Sequence, residues 1–175
     1  LVFMGGADKF NVTEKILEVL KACPLPNNCH ITVVIGLQSP WLEKVKKISL
    51  TMPWQTDVRV NVSDMASLMA DSDLAIGAAG STAWERCCLG VPTLMLILAE
   101  NQRKIADSLG FFGAARVLND PFSKYFEVEF KQAIMRIITQ TESLQGMSKI
   151  AANAVDGSGV EKVIQKLLGG NALCE

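Results

Sequence analysis

The chain has 175 residues, 49% of them hydrophobic and 20% charged, with a formal net charge of -1. That length carries one domain with a sizeable buried core, and the near-neutral balance lacks the basic footprint of a nucleic-acid binder. The longest apolar runs, such as Val91 to Ala99, are broken by Pro92 and Thr93 and are too short for a bilayer, so no membrane span is expected.

The opening Leu1-Val2-Phe3-Met4 reads as a strand already under way, with no starting methionine and no secretory signal. The chain is therefore expected to be a piece of a longer protein. Gly5-Gly6 turns into a helix that begins at Asn11-Val12-Thr13-Glu14 and carries Ile16, Leu17, Val19 and Leu20. Ile31 to Ile35 is a β-branched strand closed by Gly36, and Pro40 to Ile48 predicts a short helix. Val58 to Val62 alternates like a strand edge, with Ser63 placed to cap a helix through Met65, Leu68 and Met69. Leu74 to Ile76 is the next strand, and Thr82 to Leu89 is a helix stopped by Gly90, with Pro92 beyond it. Thr93 to Leu98 returns as a strand, a helix runs from near Asn101 to Leu109 with Gly110 as its stop, and Ala115 to Val117 is the last strand. Beyond the turn at Asp120-Pro121, three helical stretches follow from Val128 onward, including 133–138 and 160–168, with a break at Asp156-Gly157-Ser158-Gly159.

Strands alternating with helices imply right-handed crossovers. The fold class is α/β: a Rossmann-like parallel sheet with helices on both faces, one domain over residues 1–170 and a loose tail at 171–175. Ligands bind such sheets at the carboxyl ends of the strands, so Gly5-Gly6, Val60 to Ser63, Gly77 to Thr82 and Leu98 to Gln102 are expected to share one edge.

Cys23, Cys29, Cys87, Cys88 and Cys174 form no C-x-x-C pair, and His30 is the only histidine, so no zinc site or other metal is expected. An odd cysteine count with two adjacent members fits reduced thiols in a cytoplasmic protein. His30 has no nucleophile motif around it and reads as a strand-edge residue rather than a base, while Trp41, Trp54 and Trp84 read as packing residues.

Gly77, Gly80, Ser81 and Thr82 could present free amides and hydroxyls to a phosphate at a helix start. Thr82-x-x-Glu85 is equally a capping box that would satisfy those amides from within. Gly5-Gly6 lacks the full dinucleotide fingerprint and no G-x-x-x-x-G-K-[ST] occurs; it is either a plain turn or a close-approach wall. Glu85 could accept from a ribose diol or complete the cap, and Asn101-Gln102 could reach a sugar or phosphate or start a helix.

Four stretches together resemble a family: 2–8, 62–65, 72–92 and 99–102, the long third one, Ser72-Asp73-Leu74 through Gly90-Val91-Pro92, being the most specific. They look like the carboxyl-terminal half of the UDP-sugar hydrolases of pseudaminic acid synthesis, and Asp156-Gly157-x-Gly159 fits that half as well. That family is similar to type B glycosyltransferases, especially the UDP-N-acetylglucosamine transferase of peptidoglycan synthesis. The resemblance implies two Rossmann-like domains with substrate between them, and hydrolysis of UDP-2,4-diacetamido-2,4,6-trideoxy-β-L-altropyranose at the anomeric carbon to release UDP. It further implies that Gly80, Ser81 and Thr82 face the diphosphate and Glu85 binds the ribose. Val62 would lie near the uracil, Asn101 and Gln102 would approach the sugar or phosphate, and Gly5 and Gly6 would form the opposite wall. No cofactor is implied. The family's catalytic histidine sits in an amino-terminal domain that this chain does not include, and His30 matches no such motif, so no catalytic residue is expected here. Transfer of the sugar to an acceptor is the alternative chemistry for the same UDP-binding domain, and a non-catalytic binding module is the second alternative.

Overall fold

A computed structural model describes residues 1–169, so the expected tail at 171–175 and Cys174 lie outside the described residues. The strands are β1 (Val2–Phe3), β2 (His30–Ile35), β3 (Gln55–Val60), β4 (Ala75–Ala78), β5 (Thr93–Leu96) and β6 (Arg116–Val117). The helices are α1 (Val12–Lys21), α2 (Leu42–Ser49), α3 (Met65–Ala70), α4 (Thr82–Cys88), α5 (Arg103–Phe112), α6 (Phe126–Thr139), α7 (Thr141–Ala154) and α8 (Gly159–Gly169). All six strands are parallel in the order β3-β2-β1-β4-β5-β6. The order reverses direction between β1 and β4, and the crevice above such a switch point is where open α/β sheets take ligands.

The central strands β4 and β5 are buried at every position, because helices cover both faces, whereas the edge strand β3 is only half-buried. On one face α1 and α6 press Ile16, Leu17, Leu20, Phe126, Phe130 and Ile134 onto the sheet. Each of these side chains contributes roughly 1.5–3 kcal/mol through the apolar surface it removes from water. The other face is packed by small residues: Ala79, Ala83, Cys87, Ala106, Ala114 and Ala151 let α4, α5 and α7 approach closely.

Several boundaries differ from the sequence reading: the strand expected at Val58 to Val62 is Gln55–Val60, which leaves Val62 beyond it, and the strand expected at Thr93 to Leu98 ends at Leu96. The cap of α3 is Asp64, whose carboxylate accepts from Ser67 N at 3.0 Å, and not Ser63. α5 begins after a 3-10 turn at Glu100–Gln102 and runs through Gly110 to stop at Gly113, which adopts φ 77°. Gly110 lies inside the helix because a Cβ there would come within 2.9 Å of Val117 Cγ2 on β6; its smallness serves packing, not termination. Among the described residues, Cys23, Cys29, Cys87 and Cys88 are free thiols. No helix described is long and apolar enough to cross a membrane.

Candidate functional site

Phe3 of β1 pairs with Gly77 of β4, so the chain leaves the two strands at one level, through Gly5-Gly6 on one side and Ala79 to Thr82 on the other. Both loops lead into helices, and a helix start is where unpaired amides and the dipole favour an anion. The residues decide between the two. At α1 the place is filled from within: the buried carboxylate of Asp8 accepts from Val12 N and Thr13 N, each at 2.9 Å. Asp8 reaches them because its backbone turns to φ 39°. A phosphate there would displace, or be repelled by, a charge already in position.

Nothing equivalent occurs at α4. The Thr82–Glu85 capping box does not form: Ser81 already has helical angles, φ -56° and ψ -36°, and makes no side-chain cap bond. A capping residue needs extended, non-helical angles to turn its oxygen onto the amides, and both Ser81 and Thr82 have given those up. The amides of Ala83 and Trp84 close turns on Gly80 O and Ser81 O, at 3.0 and 3.1 Å. Those of Gly80, Ser81 and Thr82 donate to no acceptor among the described residues. A Cβ added at Gly5, Gly6 or Gly80 would meet nothing within 4 Å, so both loops open onto free space.

Beneath the β4–α4 turn lies Arg86, 1% exposed, on the inward stripe of α4 with Ala83 and Cys87. Its Nη2 donates to Ala78 O at 2.7 Å and its Nη1 to Thr82 Oγ1 at 3.4 Å. Burial pulls its pKa down to about 10, which leaves it charged at neutral pH. Gly77 makes room for it, since a Cβ there would stand 2.6 Å from Arg86 Nη1 and 2.9 Å from Phe3 O. Spacing alone carried a signal for this residue: one arginine at the i+3 position of an otherwise small apolar stripe.

The remaining predicted residues surround this centre. Glu85 is exposed, and its carboxylate makes no hydrogen bond among the described residues. It lines a groove of about 840 Å³ together with Ala66, Trp84, Cys88 and Val155. Trp84 is 41% exposed there, and so is a groove wall and not the packing residue expected. Val62 is half-buried in the β3–α3 connection, which follows Asn61 at φ 51° and carries the chain on to Ala66 at the groove. Asn101 is exposed on the 3-10 turn after β5, whereas Gln102 is committed to the loop itself, its Oε1 accepting from Leu98 N at 2.9 Å. Gly6 is braced against the next loop: Gly36 N donates to Gly6 O at 3.1 Å, and a recess of about 530 Å³ opens between them and Asn61.

His30 stands apart from all of this. It begins β2, at the amino-terminal edge of the sheet, where its Nε2 lies 2.8 Å from Asp57 Oδ2. No three His, Cys, Asp or Glu side chains among the described residues converge to hold a metal ion.

The family described as the glycosyltransferase family 28 C-terminal domain matches residues 1–167. Spore coat polysaccharide biosynthesis protein SpsG of Bacillus subtilis is 31% identical over 163 residues, which are 93% of this chain and 48% of that protein. The chain thus spans about half the length of this curated relative. In three dimensions it is similar to MurG of Acinetobacter baumannii, with a TM-score of 0.75 and 20% identity over 96% of this chain and 49% of that one. It is also similar to Anabaena Alr3699/HepE solved in complex with UDP, with a TM-score of 0.69 and 13% identity over 97% of this chain and 48% of that one. At these identities the structural likeness establishes the fold, a Rossmann-like domain of type B glycosyltransferase form.

Proposed function

We infer, for a chain that belongs to the glycosyltransferase family 28 C-terminal domain family, that it binds the UDP part of a nucleotide sugar at the carboxyl edge of its sheet. The single observation that carries this reading is the contrast between the two helix starts at the switch point: Asp8 fills the one, and the amides of Gly80, Ser81 and Thr82 leave the other free. In this reading the diphosphate lies on those amides, Glu85 receives the ribose hydroxyls, and the backbone beside Val62 meets the uracil. Asn101 approaches the sugar, and Gly5 and Gly6 wall the far side. The UDP bound by Anabaena HepE, a neighbour of the same fold, supports the choice of nucleotide.

The chemistry this domain serves is read as glycosyl transfer, since the family is described as a glycosyltransferase one and a relative is named for polysaccharide biosynthesis. The amides at 80–82 would then steady the departing diphosphate as the anomeric bond breaks. Hydrolysis of a UDP-sugar in nonulosonic acid synthesis is the second reading, favoured by the resemblance of residues 72–92. In both, the group that activates the acceptor or water is supplied from outside this chain, by an amino-terminal domain of the parent protein.

Titration calorimetry with UDP tests the binding. Saturable heat is expected, with Glu85→Ala weakening affinity about tenfold, as loss of hydrogen bonds to a carboxylate does. Because Glu85 caps nothing, the same variant should unfold within ~0.5 kcal/mol of the parent. A flat signal with millimolar UDP refutes the reading. In the full-length protein, release of UDP that requires an acceptor supports transfer, and release with water alone supports hydrolysis.

A further inference from the structure

We propose that Arg86 is the positioning residue of the diphosphate, supplying from beneath the β4–α4 turn the positive charge that the phosphates meet through the backbone of residues 78–82. The inference rests on the UDP reading above and extends it to a residue that touches no ligand.

A fully buried arginine is ordinarily paired with a carboxylate, since burial strips the charge of its water. Arg86 forms no ion pair among the described residues, and its Nε, also buried, has no partner. The titratable groups that act on it are its chain neighbours Glu85 and Cys87, and neither bonds to it. No counter-charge thus pairs with it among the described residues, while the open space at Gly80 lies on the other side of the turn that the guanidinium holds. Holding Ala78 O and Thr82 Oγ1 together, Arg86 brackets both ends of that turn. If packing alone were required, an apolar side chain would fill the slot at no cost in desolvation. A glycine at 77, whose Cβ would stand 2.6 Å from Nη1, completes the berth at the switch point between β1 and β4. Charge in a low-dielectric setting acts strongly on a dianion a few bonds away, so its removal is read in the phosphate contribution to affinity.

The test compares UDP with uridine, measured by ligand-observed NMR or calorimetry on the chain and on Arg86→Gln. The expected result is a loss of UDP affinity of roughly tenfold or more with uridine affinity unchanged. An equal loss for both ligands, or no loss for UDP, overturns the proposal and leaves Arg86 a structural residue. Should Arg86→Gln fail to fold, Arg86→Lys decides: a buried lysine titrates at accessible pH. UDP affinity of Arg86→Lys, relative to the parent protein, should then fall as pH rises from 7 to 9, and affinities that run parallel over that range overturn the proposal. Failure of the unmodified chain to bind UDP at all is a separate result, which refutes the UDP reading itself and this inference with it.

Discussion

Asp8 and Glu85 are both carboxylates near a helix start, and their environments differ. Asp8 is buried and holds two amides of α1, so Asp8→Ala should destabilise the fold by about 1–2 kcal/mol, the ordinary loss of an N-cap, as read by urea unfolding. Glu85 is exposed and its carboxylate has no partner among the described residues, which in the proposed reading leaves it to the ribose. Spacing did not separate these cases. Thr82-x-x-Glu85 has the form of a capping box, yet the backbone at Ser81 and Thr82 is already helical, which removes the geometry a cap needs. Asp8 reaches residues four and five positions ahead from a turn in which both Asp8 and Asn11 adopt positive φ, a property no pattern of residue types displays.

At the scale of elements, the order of strands and helices was legible because β-branched runs such as Ile31 to Ile35 alternate with helical stripes and glycine turns. Ends were less so, because contacts across the fold set them. Gly110 looks like a stop, but the approach of Val117 is what requires it, and the chain finds its left-handed turn three residues later. Gly36 shows the same logic at the site. A Cβ there would lie 2.2 Å from Gly6 O, and since that neighbour is backbone, no side-chain rotation relieves the contact. Gly36→Ala should therefore cost about 1–3 kcal/mol on urea unfolding. It should also weaken UDP binding by moving the Gly5-Gly6 wall, whereas stability and affinity both unchanged would show that the two loops are not coupled. The buried face of α4 carries Ala83 and Cys87 with Arg86 between them, the one charged side chain in an otherwise small apolar stripe.

For the whole molecule, the sheet order places the switch point between β1 and β4, and the resemblance to type B glycosyltransferases agrees with the family over residues 1–167. Composition carries no basic footprint for a nucleic-acid surface, and the two glycine-bearing loops that looked alike in sequence differ in their atomic contacts. One loop answers its own helix with Asp8; the other keeps three amides open above a buried arginine. In the reading proposed here, this domain holds the leaving group while the reacting acceptor or water is managed elsewhere in the parent protein. Amide-resolved NMR of the ¹⁵N-labelled chain titrated with UDP examines that division directly. The largest shifts should fall on Gly80, Ser81 and Thr82, with Val12 and Thr13 unmoved. Largest shifts at Val12 and Thr13, or none at residues 80–82, would contradict it.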